Sequence, residues 1–441
     1  MRVSNWGNYP KIDAKVFDFS EIEEIRNLVL NSSELIPRGL GRCFGDSALN
    51  TTIASTLRYR RILEFDEKSG FIKCEAGVSV KELLDIFIPR GWFLPVTPGT
   101  KFVTVGGAIA SDVHGKNHHI KGSISNHIIS MDVLLYDGSI ATCSKDENSD
   151  LFWATCGGMG LTGIILNASF KLLPIETSYI CQETLKAKNI DELMGIFEDS
   201  AKWTYSFAWV DCMAKGKELG RSVLARGEHA TREELCGTKY SADPLRLHSG
   251  KSLSVPFNLP NITLNRFVSK IFNFFCYRIV PDNPTKSIVS YERFFYPLDT
   301  IYNFNKIYGP RGVTQYQLVL PKVNSREGIR KILTKIAQSK EIPFLVSLKL
   351  FGKQDSFISF PQEGYTLAVE LPITPSLFAF FNDLDKFVLE YGGKLYLTKD
   401  VRMSSEMFKK SYRNSEKFIR FKHQIDKLNK FQSLQSKRIK I

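Results

Sequence analysis

Residues 97–119 read TPGTKFVTVGGAIASDVHGKNHH. Thr104 ahead of Val-Gly-Gly-Ala predicts a helix cap followed by turns of small residues. Small residues at a helix start let a ligand touch the backbone, and the free N–H groups there favour a diphosphate. Upstream, residues 38–46 read RGLGRCFGD, directly after a strand expected at Leu35–Pro37. Its three glycines permit positive φ, so successive N–H groups can converge on one anion. Arg38 and Arg42 add charge; a surface turn is the plainer alternative, but turns seldom need three glycines so close together. Downstream, residues 158–163 read GMGLTG and formally match GxGxxG. The dinucleotide fingerprint must follow a strand and open a helix. Here a helical stretch, 150–156, comes first and a strand, 164–170, follows. The segment is therefore expected to be a close turn passing a ligand.

The surroundings predict an α+β protein. Ser20-x-x-Glu23 and Ser79-x-x-Glu82 read as capping boxes. Met131–Tyr136, an Asp137-Gly138 turn and Ile140–Cys143 read as a hairpin. Beyond Tyr179, strands are expected at Tyr205–Asp211, Gln315–Leu320, Phe344–Phe351 and Tyr365–Leu371. Helices are expected at Glu192–Ala201, Arg326–Gln338 and Ser376–Tyr391. This pattern is that of an antiparallel sheet with helices on one face.

Composition is that of an ordinary globular protein: 441 residues, 43% hydrophobic, 24% charged and a formal net charge of +13. That excludes a disordered, collagenous or coiled-coil chain. No apolar run approaches a bilayer span and the N-terminus has no apolar leader, so a cytoplasmic protein is expected. The eight cysteines form no CxxC pair and read as mostly buried thiols. His114, His118, His119 and His127 cluster in sequence. Gly115 and Gly122 break any shared helical face and nothing completes a ligand set, so no metal is expected. Between Asp243 and Asp282 there is no acid, while Arg246, Lys251, Arg266, Lys270 and Arg278 alternate with Phe257, Phe267, Ile271, Phe272, Phe274 and Phe275. Such a segment suits a membrane surface or a greasy substrate, or is an internal helix with a basic edge. The basic tail, 415–441, reads as an amphipathic helix packed on the first domain.

RGLGRCFGD, TPGTKFVTVGGAIASDVHGKNHH, SMDVLLYDGS, DLFWATCGGMGLTGII and GGKLYLTKDVR together resemble the vanillyl-alcohol-oxidase (PCMH) type FAD-binding superfamily. Within it they are most similar to the decaprenylphosphoryl-β-D-ribose 2′-oxidase branch. The resemblance covers nearly the whole chain and is weakest at 212–290. It implies a two-subdomain FAD-binding domain at 1–177, a substrate-binding cap at 178–393 and a segment, 394–441, returning to the FAD domain. It implies FAD contacts at Arg38, Gly39, Leu40, Gly41, Arg42, Cys43, Phe44, Gly45, Asp46 and Ser47. Further contacts are implied at Gly99, at Thr104, Val105, Gly106 and Gly107, and at Ser111, Asp112, Val113 and His114. Ile164 and Ile165 would edge the ring system, and Tyr396 would reach it from the far end of the chain. Many relatives tether FAD through a histidine where this chain has Arg42, so a dissociable FAD is implied. Phe44 stands in place of a tyrosine, Thr366 in place of an asparagine, and Ala368 where mycobacterial members carry a cysteine.

The implied reaction is oxidation of the 2′-hydroxyl of a polyprenyl-phosphate pentose, completed by a partner short-chain reductase, with a possible peripheral contact at the inner membrane. Period-2 reading puts Gln315 with Gln317, Lys349 with Phe351, and Thr366 with Ala368 and Glu370 on the polar faces of their strands. Lys399 is the leading catalytic candidate, as base or as counter-charge to reduced flavin, with His114 and Tyr396 beside it. Lys116, Lys349, Gln315, Gln317, Trp209, Phe351, Thr366 and Ala368 are the substrate candidates. A soluble aldonolactone or alditol oxidase of the same fold, and a non-enzymatic basic protein binding membrane or nucleic acid, are the competing readings.

Overall fold

A computed structural model describes residues 1–248, 253–354 and 356–441; Lys251 of the basic segment lies outside the described residues. The chain builds an α+β fold on three principal sheets. Strand Thr52–Ser55 lies between Lys15–Asp18 and Ile36–Arg38, parallel to both. A five-stranded antiparallel sheet follows, ordered 140–144, 128–134, 164–171, 71–75, 62–66. Its hairpin is the one expected around Asp137-Gly138, with Leu134 opposite Ile140.

The third sheet has eight antiparallel strands, ordered 285–290, 179–187, 222–229, 205–210, 346–351, 364–372, 313–321, 394–395. The last strand, Lys394–Leu395, belongs to this sheet, so the return toward the N-terminal sheets starts just after it. Helices Ile190–Asp199, Lys322–Gln338 and Leu377–Glu390 cover one face. Tyr316, Leu318, Leu348, Leu367 and Val369 alternate onto that face and join one buried apolar core with Leu193, Ile329, Ile332, Phe381 and Leu384. Burying this row, at about 25 cal/mol per Å² of apolar surface, holds the sheet rigid. Its opposite face is then free to carry polar chemistry.

The C-terminal tail binds the first sheet. Leu35 bridges Phe431 in parallel, and Asn50 donates through Nδ2 to the Gln432 carbonyl at 2.7 Å. Lys430 donates through Nζ to the Val29 carbonyl at 2.7 Å. The basic tail thus packs on the N-terminal part as its sequence suggested, but not as one helix: Ser415–Ile425 and Leu434–Ile439 are separate helices, and the non-helical stretch between them makes these contacts. One cap differs from expectation. The helix Ile22–Asn31 starts a residue later than the Ser20/Glu23 box requires. Its carboxylate is Glu24, which accepts from the N–H groups of Ser20 (2.8 Å) and Glu21 (3.2 Å). The Ser79/Glu82 box forms as read.

Candidate active site

A cavity of about 540 Å³ lies between the glycine loops and the polar face of the eight-stranded sheet. One wall is the loop after strand Ile36–Arg38. Arg38, Gly39, Leu40, Gly41, Arg42, Cys43, Phe44 and Ser47 all line it. Among the described residues, the N–H groups of Gly39, Leu40, Gly41, Arg42 and Cys43 find no protein acceptor. Backbone donors must be satisfied by something, and on a cavity wall that is solvent or ligand. Gly41 holds φ +63°, and a Cβ on Gly39 would fall 2.2 Å from Thr104 Oγ1. The loop therefore has the form of an anion cradle that only glycine permits. Its positive side chains are fixed. Arg38 donates through Nη2 to the Ser4 carbonyl at 2.8 Å, and Arg42 lies over Trp6 at 4.5 Å and Phe102 at 5.1 Å.

The second glycine stretch plays a different part from the one expected. Thr104 does cap a short helix, Val105–Ala110. Its first amides are already spent, on Val78 O (Val105), Ala76 O (Gly106) and Thr104 Oγ1 (Gly107). These bonds pin the helix to its neighbours and leave no free donors for a diphosphate. Thr104, Gly106 and Gly107 line the cavity as close-approach surface instead, while Val105 is buried in the core. A Cβ on Gly99 would meet nothing within 4 Å, so that residue opens directly on the space.

Asp112 also departs from the implied cofactor contact. It holds φ +41° and turns its carboxylate away from the cavity. There it accepts from Ser123 Oγ (2.6 Å), Ser125 N (3.1 Å) and Gln354 Nε2 (2.6 Å), and from Ser359 Oγ. It is a buried clamp between two loops. Ile164 sits in the core behind Ile165, which does line the cavity. Gly160 and Gly163 line it too, so the GMGLTG turn passes the ligand space as read. The histidines separate: His118 Nε2 faces Gln354 Oε1, His119 Nε2 the Trp203 carbonyl, and His127 Nε2 the Lys121 carbonyl.

The chain's far end closes the site. Phe44 N donates to the Thr398 carbonyl at 3.0 Å, which joins the first loop to the returning segment. Gly45 and Asp46 do not reach the cavity; they make this junction. A Cβ on Gly45 would lie 1.8 Å from the Asp400 carbonyl oxygen. Asp46 and Asp400 share Arg438, at 2.8 Å and 2.9 Å. Tyr396 lines the cavity and donates its hydroxyl to the Ser111 carbonyl at 2.7 Å. Lys399 Nζ stands 4.2 Å from the Phe44 ring centroid, on the cavity wall. Burial pushes its pKa down to about 8, against the opposing pull of Glu370.

The polar face of the sheet forms the facing wall. Register places Trp209 opposite Ser347, Ser347 opposite Ala368, and Ala368 opposite Gln317, in one row across four strands. Gln315 and Glu370 pair beside that row, and Gln315 Nε2 donates to Glu370 Oε2 at 3.3 Å. Lys349 lines the same wall, its pKa pushed down to about 8 by burial. Lys116 lines it as well, but burial pushes its pKa well below the ordinary lysine range and its amine is occupied. It donates to the Phe294 carbonyl and sits 3.2 Å over the Phe207 ring. Two candidates lie one layer back. Thr366 Oγ1 accepts from Gln317 Nε2 and donates to the Leu318 carbonyl. Phe351 packs under the rings of His114 (4.6 Å) and His118 (4.3 Å).

His114 has a defined state. Burial holds its pKa well below the ordinary value, so the ring is neutral. Gln317 Nε2 donates to its Nε2 at 3.0 Å, which leaves the proton on Nδ1. Among the described residues, that buried Nδ1 makes no hydrogen bond, and neither do Thr56 Oγ1 and Trp209 Nε1. All three residues line the cavity. Glu370 is the important residue that the sequence reading missed as a site candidate. Its place on the polar face was visible, but not its burial, which raises its pKa.

Two guanidinium groups (Arg38, Arg42), three buried lysines (Lys116, Lys349, Lys399) and two carboxylates (Asp299, Glu370) line one space with unpaired amide donors at one end. These residues fit a dianionic dinucleotide cofactor plus a second anionic ligand. Residues 18–144 match the FAD binding domain family. The whole chain is 36% identical to decaprenylphosphoryl-β-D-ribose oxidase of Mycolicibacterium smegmatis, covering 97% of that protein. Delta(24)-sterol reductases share only a segment: that of Rattus norvegicus is 33% identical over 26% of this chain and 22% of its own length. That of Pisum sativum is 28% identical over 32% of this chain and 25% of its own. A cavity built by both ends of the chain, and a match that runs its full length, make this chain an FAD-dependent oxidoreductase of the decaprenylphosphoryl-β-D-ribose oxidase family.

Proposed function

We propose that the chain oxidises the 2′-hydroxyl of a polyprenyl-phosphate pentose to the 2′-keto sugar, the first half of an epimerisation. The observation that carries this reading is the pairing, in one cavity, of a Lys399 amine held near neutrality with a cationic wall suited to a phosphate. Bound FAD would supply the hydride acceptor for oxidation at the carbinol carbon. The cavity-facing residues of the two N-terminal parts (38–44, Ser47, Gly99, Thr104, Gly106, Gly107, Ser111, Val113 and His114) would hold it, with 178–393 as the substrate cap and 394–441 as the return. Arg42, stacked on Trp6, offers no nucleophile for a covalent tether, so FAD is held non-covalently.

Lys399 Nζ takes the hydroxyl proton in its neutral form. His114 donates its Nδ1 proton to a ligand oxygen, held in that tautomer by Gln317. Lys349 meets the substrate phosphate better than Lys116, whose amine is held low in pKa by burial and already has a carbonyl partner. Gln315, Gln317 and Trp209 Nε1 supply hydrogen bonds for sugar hydroxyls, and Ala368 leaves room in the row between them. A short-chain reductase would consume the keto sugar, and contact with a membrane surface would give access to the prenyl chain.

Anaerobic mixing with polyprenyl-phosphoribose should bleach the bound flavin and yield a keto sugar; bleaching by free aldonolactones or alditols alone would reject this substrate class. Removing the negative charge of Glu370 should make Lys399 easier to deprotonate. The Glu370→Gln variant is therefore expected to move the rising limb of the pH–rate profile from near pH 8 to about pH 7. An unmoved limb would show that Glu370 does not act on the titrating group.

A further inference from the structure

The helix Arg266–Arg278 is built inside out. Its buried residues are the polar Ser269 and Asn273. Asn273 Nδ2 donates to Asp211 Oδ1 at 2.8 Å, and Arg266 Nη1 donates to the carbonyls of Ser339 and Glu341, each at 2.7 Å. Polar bonds thus fasten the helix to the body while its apolar side faces out. Phe267 is 72% exposed, Phe275 63%, and Phe274 and Ile271 more than 40%. Monomeric proteins rarely leave such a patch uncovered.

Two further observations say what covers it. The first is charge: no acid occurs between Asp243 and Asp282, Lys270 and Arg221 line the groove beside these phenylalanines, the acid there, Asp211, is buried and paired to Arg221 at 2.9 Å, and Arg278 closes the helix. The whole chain carries +13, so a second copy would meet like charge here, whereas an anionic surface would meet its complement. The second is position. The segment leading into the helix pairs with the cavity wall, Leu253 and Ser254 running parallel to Ile301 and Tyr302. Tyr302 and Leu298 line the cavity and are still 44% and 39% exposed, so the cavity reaches the surface there. Phe272 packs on Phe344 at 4.8 Å, next to the cavity-lining Leu345.

We propose that the outward face of helix 266–278 docks on an anionic lipid bilayer, its phenylalanines entering the acyl boundary and Lys270 and Arg278 meeting headgroup phosphates. Docked so, the open side of the cavity faces the lipid. A prenyl chain then passes from bilayer to cavity without crossing water. This deepens the polyprenyl-phosphate reading and rests on it for the purpose of the surface.

Flotation of the FAD-loaded full chain with vesicles tests it. Binding is expected to phosphatidylcholine vesicles carrying phosphatidylglycerol, weakly or not at all to phosphatidylcholine alone, and to decline with added salt. The Phe267→Ser/Phe275→Ser variant should lose about tenfold or more of that partitioning. It should keep its flavin and its turnover of a short-prenyl, water-soluble phosphoribose, an assay that judges the substrate reading separately. In Phe275→Trp, vesicles should shift the fluorescence to the blue and brominated acyl chains should quench it. Wild-type protein that ignores anionic vesicles would overturn the proposal. So would a double variant that floats as well as wild type, or a dimer that the double variant dissociates.

Discussion

Lys399→Ala is expected to slow reduction of the bound flavin by substrate about 10²–10⁴-fold, the range for removing a positioned base. FAD content should stay near that of the wild type, because the loop amides and the junction through Thr398 and Asp400 do not involve the lysine side chain. The sign of the pH dependence follows from the depressed pKa. A base works when unprotonated, so the wild-type rate should rise through about pH 8 and reach a plateau above it. A lysine needed as a cation would give the reverse, a rate falling above that pH. Stopped-flow absorbance across pH 6–10 with wild-type and Lys399→Ala protein separates the two. A variant that keeps full speed, or loses its flavin, would remove Lys399 from the chemistry.

Gly45→Val is expected to have the largest effect on cofactor binding. Its Cβ would meet the Asp400 carbonyl oxygen at 1.8 Å and the Val401 Cα at 3.0 Å. Both are backbone atoms, anchored through Arg438 and the 434–439 helix, so neither can yield cheaply. Overpacking of this kind costs about 1–3 kcal/mol of stability. Opening the junction should also weaken FAD binding about a hundredfold, ~2.8 kcal/mol. Gly99→Ala is the control: its Cβ meets no protein atom, so stability should change by less than about 0.5 kcal/mol. Melting curves with and without FAD, together with flavin titration of the apoprotein, give both quantities.

Much of this was legible in the sequence because it rests on short-range patterns. The helix-then-strand order around GMGLTG spoke against a dinucleotide fold, and alternation in 313–321 and 364–372 put Gln315, Gln317 and Ala368 on the polar faces of their strands, which the resemblance, not the alternation, turned toward a cavity. What escaped depends on contacts between distant segments. The amides of the Val105–Ala110 helix look free until Val78 and Ala76 arrive from another strand and its turn. Asp112 looks like a cofactor ligand until Gln354 and Ser359 turn it inward. Glu370 reads as one polar residue in an alternating strand; its importance comes from burial beside Lys399, which no local pattern encodes. The Ser20/Glu23 box slipped by one because two glutamates in succession offer the same cap in two registers.

The 38–47 loop and the returning 396–399 segment together form the place for one flavin. The most direct measurement is the absorption spectrum of the purified protein before and after acid precipitation, followed by titration of the stripped chain with FAD. One FAD per chain is expected, released intact to the supernatant by acid and rebound on return to neutral pH. A colourless protein that takes up no FAD would contradict it, as would flavin that stays with the precipitate.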